Sequence, residues 1–143
     1  MCNKRIIMVI KSGSIKRKDL LYPELSYKII GSAFDVYNKI GSGHLEKNYQ
    51  RALAEAFASN DLKFSEQVYC PVVYNDKIIG RKFLDFLVES KIIVEIKKDA
   101  RFSKANIDQI LNYLRANNLK LSILINFGNN GVVFKRIINF NSI

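Results

Sequence analysis

The sequence predicts one α/β domain in the order helix, helix, three strands, helix, two strands. Three observations carry that expectation. Two consecutive segments after Pro23 repeat apolar residues at helical spacing; near Val68 the pattern turns extended, rich in β-branched and aromatic residues; and helical spacing returns around Ile107 before two more extended runs. At 143 residues the chain has room for one core of ordinary size, and its 48% hydrophobic and 25% charged residues are the balance of a folded soluble domain.

Residues 1–21 read as a basic, turn-rich leader, flexible or appended, in which Lys4, Arg5, Lys11, Lys16, Arg17 and Lys18 surround Ser12-Gly13-Ser14. Its apolar run Ile6-Ile7-Met8-Val9-Ile10 suits an added strand or a poorly ordered arm; it is far shorter than a signal-peptide core or a membrane span, so neither export nor a membrane anchor is expected. The domain proper is assigned to residues 22–143. From Pro23, Ile29, Ile30, Ala33, Phe34, Tyr37 and Ile40 mark a first helix that Gly41-Ser42-Gly43 ends. Leu45, Tyr49, Ala52, Leu53, Ala56 and Phe57 mark a second, stopping near Asn60-Asp61.

Strands are expected from Val68 to Tyr74, from about Ile79 to Val88 and from Ile92 to Lys97, joined as hairpins through Asn75-Asp76-Lys77 and Glu89-Ser90-Lys91. Ile107, Ile110, Leu111 and Leu114 define a third helix ending near Asn117-Asn118. Leu121 to Asn126 and Val132 to Ile138 complete the order as strands, with Gly128-Asn129-Asn130-Gly131 as the turn between them.

The 23 Lys and Arg against 13 Asp and Glu leave a net charge of +10, a field that attracts phosphate backbones, although a solvated basic surface produces the same count. Cys2 and Cys70 form no CxxC pair and cannot supply a four-thiolate metal site, which fits a reducing cytoplasm. His44, the only histidine, excludes histidine-based metal sites of the HNH type and suits a helix start or the surface. There is no Walker-type loop or dinucleotide fingerprint.

The chemistry lies in two apolar runs. Asp85 interrupts Phe83-Leu84-Asp85-Phe86-Leu87-Val88 and Glu95 interrupts Ile92-Ile93-Val94-Glu95-Ile96, where carboxylates cost several kcal/mol to bury unless paired or metal-bound. If the hairpin closes on Glu89-Ser90-Lys91, Val88 pairs with Ile92 and Asp85 falls opposite Glu95, their Cβ atoms about 5 Å apart with Lys97 on the same face. A two-residue turn would put the acids on opposite faces. Two carboxylates this close repel unless a cation intervenes, so a hard divalent metal is the economical partner; a Lys97 ion pair serving both acids is the competing structural reading.

Asp85 followed by Glu95-Ile96-Lys97 resembles the D…(D/E)xK signature of the PD-(D/E)XK nuclease superfamily, and Gly43-His44-Leu45-Glu46-Lys47-Asn48-Tyr49 resembles the GxxExxY signature of a small family within it. Leu84 stands where the pattern has Pro. The resemblance, covering about residues 22 to 139, implies a restriction-endonuclease-like αβββαβ core: a mixed central sheet flanked by helices, here with an extra N-terminal helix and an extra C-terminal strand. It implies Glu46, Asp85, Glu95 and the Ile96 carbonyl as metal ligands and Lys97 as the catalytic lysine, with Tyr49 in support. Gln109 and Tyr113 resemble the QxxxY pair of the RecB-type exonuclease branch, which lies beside the active site and helps hold substrate. Their face of the third helix is expected to turn away from its apolar stripe. The implied activity is a Mg²⁺-dependent deoxyribonuclease, with Mn²⁺ as an alternative ion, acting on nucleic acid with DNA ahead of RNA and with a homodimer left open. The alternatives are a non-catalytic module that binds nucleic acid or protein, and a scaffold within a larger assembly.

Overall fold

Pro23, whose ring presets the helical φ, opens the first helix, and Gly41, at φ 73°, ends it in a backbone conformation that side chains resist. Residues 6–9, 21–99 and 101–142 are described by a computed structural model. It contains the helices α1 (Pro23–Ile40), α2 (Glu46–Ser59) and α3 (Lys104–Ala116), and the strands β1 (Ile6–Val9), β2 (Phe64–Tyr74), β3 (Lys77–Val88), β4 (Ile92–Lys98), β5 (Leu121–Gly128) and β6 (Gly131–Ile138). The expected order holds. The leader's apolar run supplies β1, which pairs antiparallel with β6; the remaining expectations for residues 1–20 lie outside the described residues.

The strands form one six-stranded sheet in the order β1-β6-β5-β4-β3-β2. β4 and β5 are parallel, connected through α3, and the other neighbours are antiparallel, so the sheet is mixed. β2 starts at Phe64 rather than Val68 because Phe64, Ser65 and Glu66 pair with Val88, Leu87 and Phe86. Backbone pairing does not need the apolar side chains by which a strand is recognised. β3 starts at Lys77 because Asn75 and Asp76, at φ 48° and 62°, turn the hairpin in two residues, leaving Lys77 to pair with Tyr74.

Alternation along the central strands separates two apolar layers. Ile92, Val94 and Ile96 of β4, and Leu121, Ile123, Ile125 and Phe127 of β5, pack with α1 and α2; Ile93 and Leu124 pack with Ile107, Ile110, Leu111 and Leu114 of α3. Glu95 and Lys97 alternate with Ile96 and so share the α3 side with Ile93. The part of the β2–β3 ribbon furthest from β4 carries Tyr69, Val73, Tyr74, Ile78, Ile79 and Phe83, all largely exposed.

Candidate active site

The β3–β4 hairpin sets the geometry. Glu89 and Ser90 are left-handed, at φ 53° and 56°, and the Lys91 N–H donates to the Val88 carbonyl at 3.0 Å. Val88 nevertheless pairs with Ile92, Leu87 with Ile93 and Phe86 with Val94, so Lys91 is the extra residue and the three-residue loop holds. Continuing this register places Asp85 opposite Glu95. There side chains replace the regular ladder: the Asp85 N–H donates to Glu95 Oε1 at 2.6 Å, and the Ile96 N–H donates to Asp85 Oδ2 at 2.8 Å.

This interlock coincides with an irregularity in β3. Leu84 and Phe86 would share a face of a regular strand, yet Leu84 packs in the α3 layer and Phe86 in the α1–α2 layer. Across the ladder, Gln67 of β2 sits opposite Asp85 with φ 51° and takes no place in the pairing between Glu66 and Val68. A left-handed residue in mid-strand is costly, and this one, across which the register does not shift, flanks the carboxylate.

Glu46 is the first residue of α2, and its Oε2 accepts from the Lys98 N–H at 3.2 Å, bringing the helix terminus to the end of β4. Tyr49 holds that terminus in place. Its ring is fully buried and stacks on Phe127 with centroids 4.4 Å apart, while its hydroxyl donates to the Gly41 carbonyl at 2.7 Å and accepts from the His44 N–H at 3.4 Å. Tyr49 is therefore a fully buried strut under the glycine loop. His44, through Nε2 at 2.6 Å from the Ile40 carbonyl, ties the same loop to α1.

Burial, and then the charge of Asp85, push the Glu95 carboxyl up to about 8. Asp85 is also raised, by burial first and in part by the field of Glu46, against the hydrogen bond from Ile96 and the charge of Lys97, which lower it. Near neutral pH the pair holds a proton. Lys97, half-buried and in register with Asn126 of β5, is a cation whose charge lowers the pKa of Asp85.

Asn106, absent from the motifs, also belongs here. It is buried on α3, which Ser103 caps through the Asn106 N–H at 3.0 Å, and its side chain hydrogen-bonds Glu95. A buried Asn beside the Ile107/Ile110 stripe was the available signal.

Gln109, one turn along, meets Cys70 instead of the carboxylates, and Tyr113 packs against the same apolar cluster as Ile107 and Leu111. The expected turn away from the apolar stripe is thus corrected: the sheet-facing sector of α3 is broad enough to include its flanks. Both residues line a groove of about 1010 Å³ between α3 and β2 that the acids do not line. Cys70 is a buried free thiol whose pKa burial raises.

The hard carboxylate oxygens of Glu46, Asp85 and Glu95 suit a divalent cation, and repulsion within the Asp85–Glu95 pair is what such an ion relieves. As they stand, all three accept from backbone N–H groups, and among the described residues no group of three or more His, Cys, Asp or Glu is gathered into a ligand cage. Ile96, between Glu95 and Lys97, contributes its N–H to the interlock.

Comparison with known proteins decides the family. A family model described as the PD-(D/E)XK nuclease superfamily matches residues 23–138, a span that contains both interlocked acids, Lys97 and the whole αβββαβ unit. The chain belongs to the PD-(D/E)XK nuclease superfamily. Its mixed sheet between two helical layers is accordingly a restriction-endonuclease-like fold, and nucleases of this superfamily generally use divalent metals. The solved structure of SSO0001 is similar at 15% identity and a TM-score of 0.47, over 82% of this chain; the match spans 57% of the length of SSO0001. No curated protein matches the sequence. Among the described residues, no helix is long and apolar enough to cross a membrane.

Proposed function

We propose that this PD-(D/E)XK protein is a metal-dependent nuclease that hydrolyses phosphodiester bonds of DNA, with Glu46, Asp85 and Glu95 as metal ligands and Lys97 as the catalytic lysine. The observation that carries the reading is the interlock of Asp85 with Glu95, two buried acids whose pKa values burial raises, beside Lys97, whose charge acts on Asp85. The GxxExxY run from Gly43 to Tyr49 supports membership of that smaller family, since it positions Glu46 against β4.

Mg²⁺, or Mn²⁺ in its place, supplies polarisation of the phosphoryl oxygen and a more acidic water when bound. The Ile96 carbonyl is a further ligand on the same strand. Lys97 orients the attacking water and offsets the charge that develops on the phosphoryl group. Asn106 holds the Glu95 carboxylate and favours its ionised, ligating form. Gln109 and Tyr113 support substrate from the separate groove between α3 and β2, away from the acids, and Tyr49 supports Glu46 from below. The free Cys70 fits action in a reducing cytoplasm.

A second reading, a binding module that keeps the fold without cutting, draws on one observation: all three acids are satisfied by backbone donors. One experiment separates the two. Purified protein is incubated with labelled single- and double-stranded DNA plus Mg²⁺ or Mn²⁺, beside Lys97→Ala. Metal-dependent cleavage that the variant lacks supports the nuclease; equal products from both proteins sink it, and no cleavage together with no Mg²⁺ binding favours the module.

A further inference from the structure

A groove of about 500 Å³, lined from β5, β6 and the segment after β4, opens on the α3 side of the sheet; Glu46, Asp85 and Glu95 do not line it. Strand register fixes its position. Lys97 and Glu95 pair with Asn126 and Leu124 across β4 and β5, and these pair in turn with Val133 and Lys135 across β5 and β6. Leu124 and Ile137 pack in the α3 layer, so Asn126, Val133 and Lys135 share the face that carries Glu95 and Lys97. With neighbouring strands about 4.8 Å apart, the Lys135 backbone lies roughly 10 Å from that of Glu95.

The walls combine two chemistries. Arg101 and Lys135 are cationic against the single acid Asp99, while Phe102 and the 55%-exposed Val133 are apolar, and Asn126 adds an amide at the end nearest Lys97. A surface of spaced cations with apolar patches between them fits a nucleic-acid strand, whose phosphates meet the cations and whose sugars and bases meet the rest.

We propose that this groove holds the sugar-phosphate chain of the substrate strand on one side of the scissile bond, with Arg101 and Lys135 each neutralising one phosphate. The inference rests on the nuclease reading for where the strand is cut, but its own content is binding. Because Lys135 is two strands from Glu95, the phosphate it meets is one the acids do not touch.

The test is the affinity of the full chain for a labelled single-stranded oligodeoxynucleotide of about 12 nucleotides, measured in EDTA over a salt series. Arg101→Ala, Lys135→Gln and the double variant are compared with Lys77→Ala, which removes one charge from the β2–β3 ribbon. Each groove variant is expected to weaken binding several-fold and to flatten the slope of log affinity against log salt by about 0.7; Lys77→Ala leaves both unchanged. Wild-type affinity and slope in the double variant overturn the proposal, as does a wild-type protein that shows no salt-dependent binding. Groove variants that weaken binding in a protein that never cleaves DNA refute the nuclease reading alone. Cleavage with KM unchanged in the double variant refutes the groove alone.

Discussion

Replacing Glu95 with Gln removes a proton site while keeping an oxygen that can accept from the Asp85 N–H. Burial and the charge of Asp85 raise the Glu95 carboxyl from 4.5 to about 8, so folding takes up a proton across that interval. A carboxyl raised in this direction leaves the native state most stable below its unfolded pKa and costs stability progressively as pH climbs through the folded one. At about 1.4 kcal/mol per unit the interval sets a ceiling of about 5 kcal/mol. The high effective dielectric of real protein sites brings the expected effect to about 1–3 kcal/mol. Thermal unfolding in EDTA at pH 5 and pH 8.5 reads this directly. Glu95→Gln is expected to gain on wild type as pH rises, by about 4 °C in Tm per kcal/mol, and to lose the stabilisation that saturating Mg²⁺ confers on wild type. Parallel Tm profiles for the two proteins across this range would refute the electrostatic account of the pair.

Tyr49→Phe keeps the stack on Phe127 and loses the hydrogen bond to Gly41, so urea unfolding should show a loss of about 1 kcal/mol, whereas Tyr49→Ala, which also vacates a fully buried site, should cost about 3–5 kcal/mol. Asn106→Ala removes a donor that lowers the Glu95 pKa, so protons compete harder with metal; Mn²⁺ titration should show weaker binding than wild type at pH 7 and a smaller deficit at pH 8.5. An equal deficit at both pH values would mean that Asn106 acts on the shape of the site and not on the charge of Glu95.

Much of this architecture was legible in the residues. Periodicity carried the element order because each helix and central strand buries one regular stripe, and two acids inside apolar runs marked the site because such placements need a partner. The register was conditional on the Glu89-Ser90-Lys91 loop, and Val88 pairing with Ile92 resolves it. What was not legible depends on tertiary geometry. The break in β3 at Asp85 arises where the ribbon with β2 continues after pairing with β4 ends, and Gln67 carries no sequence mark of its left-handed backbone. Tyr49 belongs to the Gly43–Tyr49 run, yet only the stack on Phe127, distant in sequence, shows it to be a strut. The helical wheel of α3 placed Gln109 and Tyr113 together without showing that Asn106, one turn earlier, is the residue that reaches Glu95.

The central claim is that Lys97, beside the Asp85–Glu95 pair, acts in the cleavage of DNA. Its most direct measurement is the single-turnover cleavage rate at saturating DNA and Mg²⁺ for wild type and Lys97→Ala, with DNA affinity measured in parallel. A fall of about 10²–10³-fold in rate is predicted if Lys97 offsets charge in the transition state, with affinity nearly unchanged. A variant that cleaves at the wild-type rate would contradict the assignment of Lys97 and the account of the site built around it.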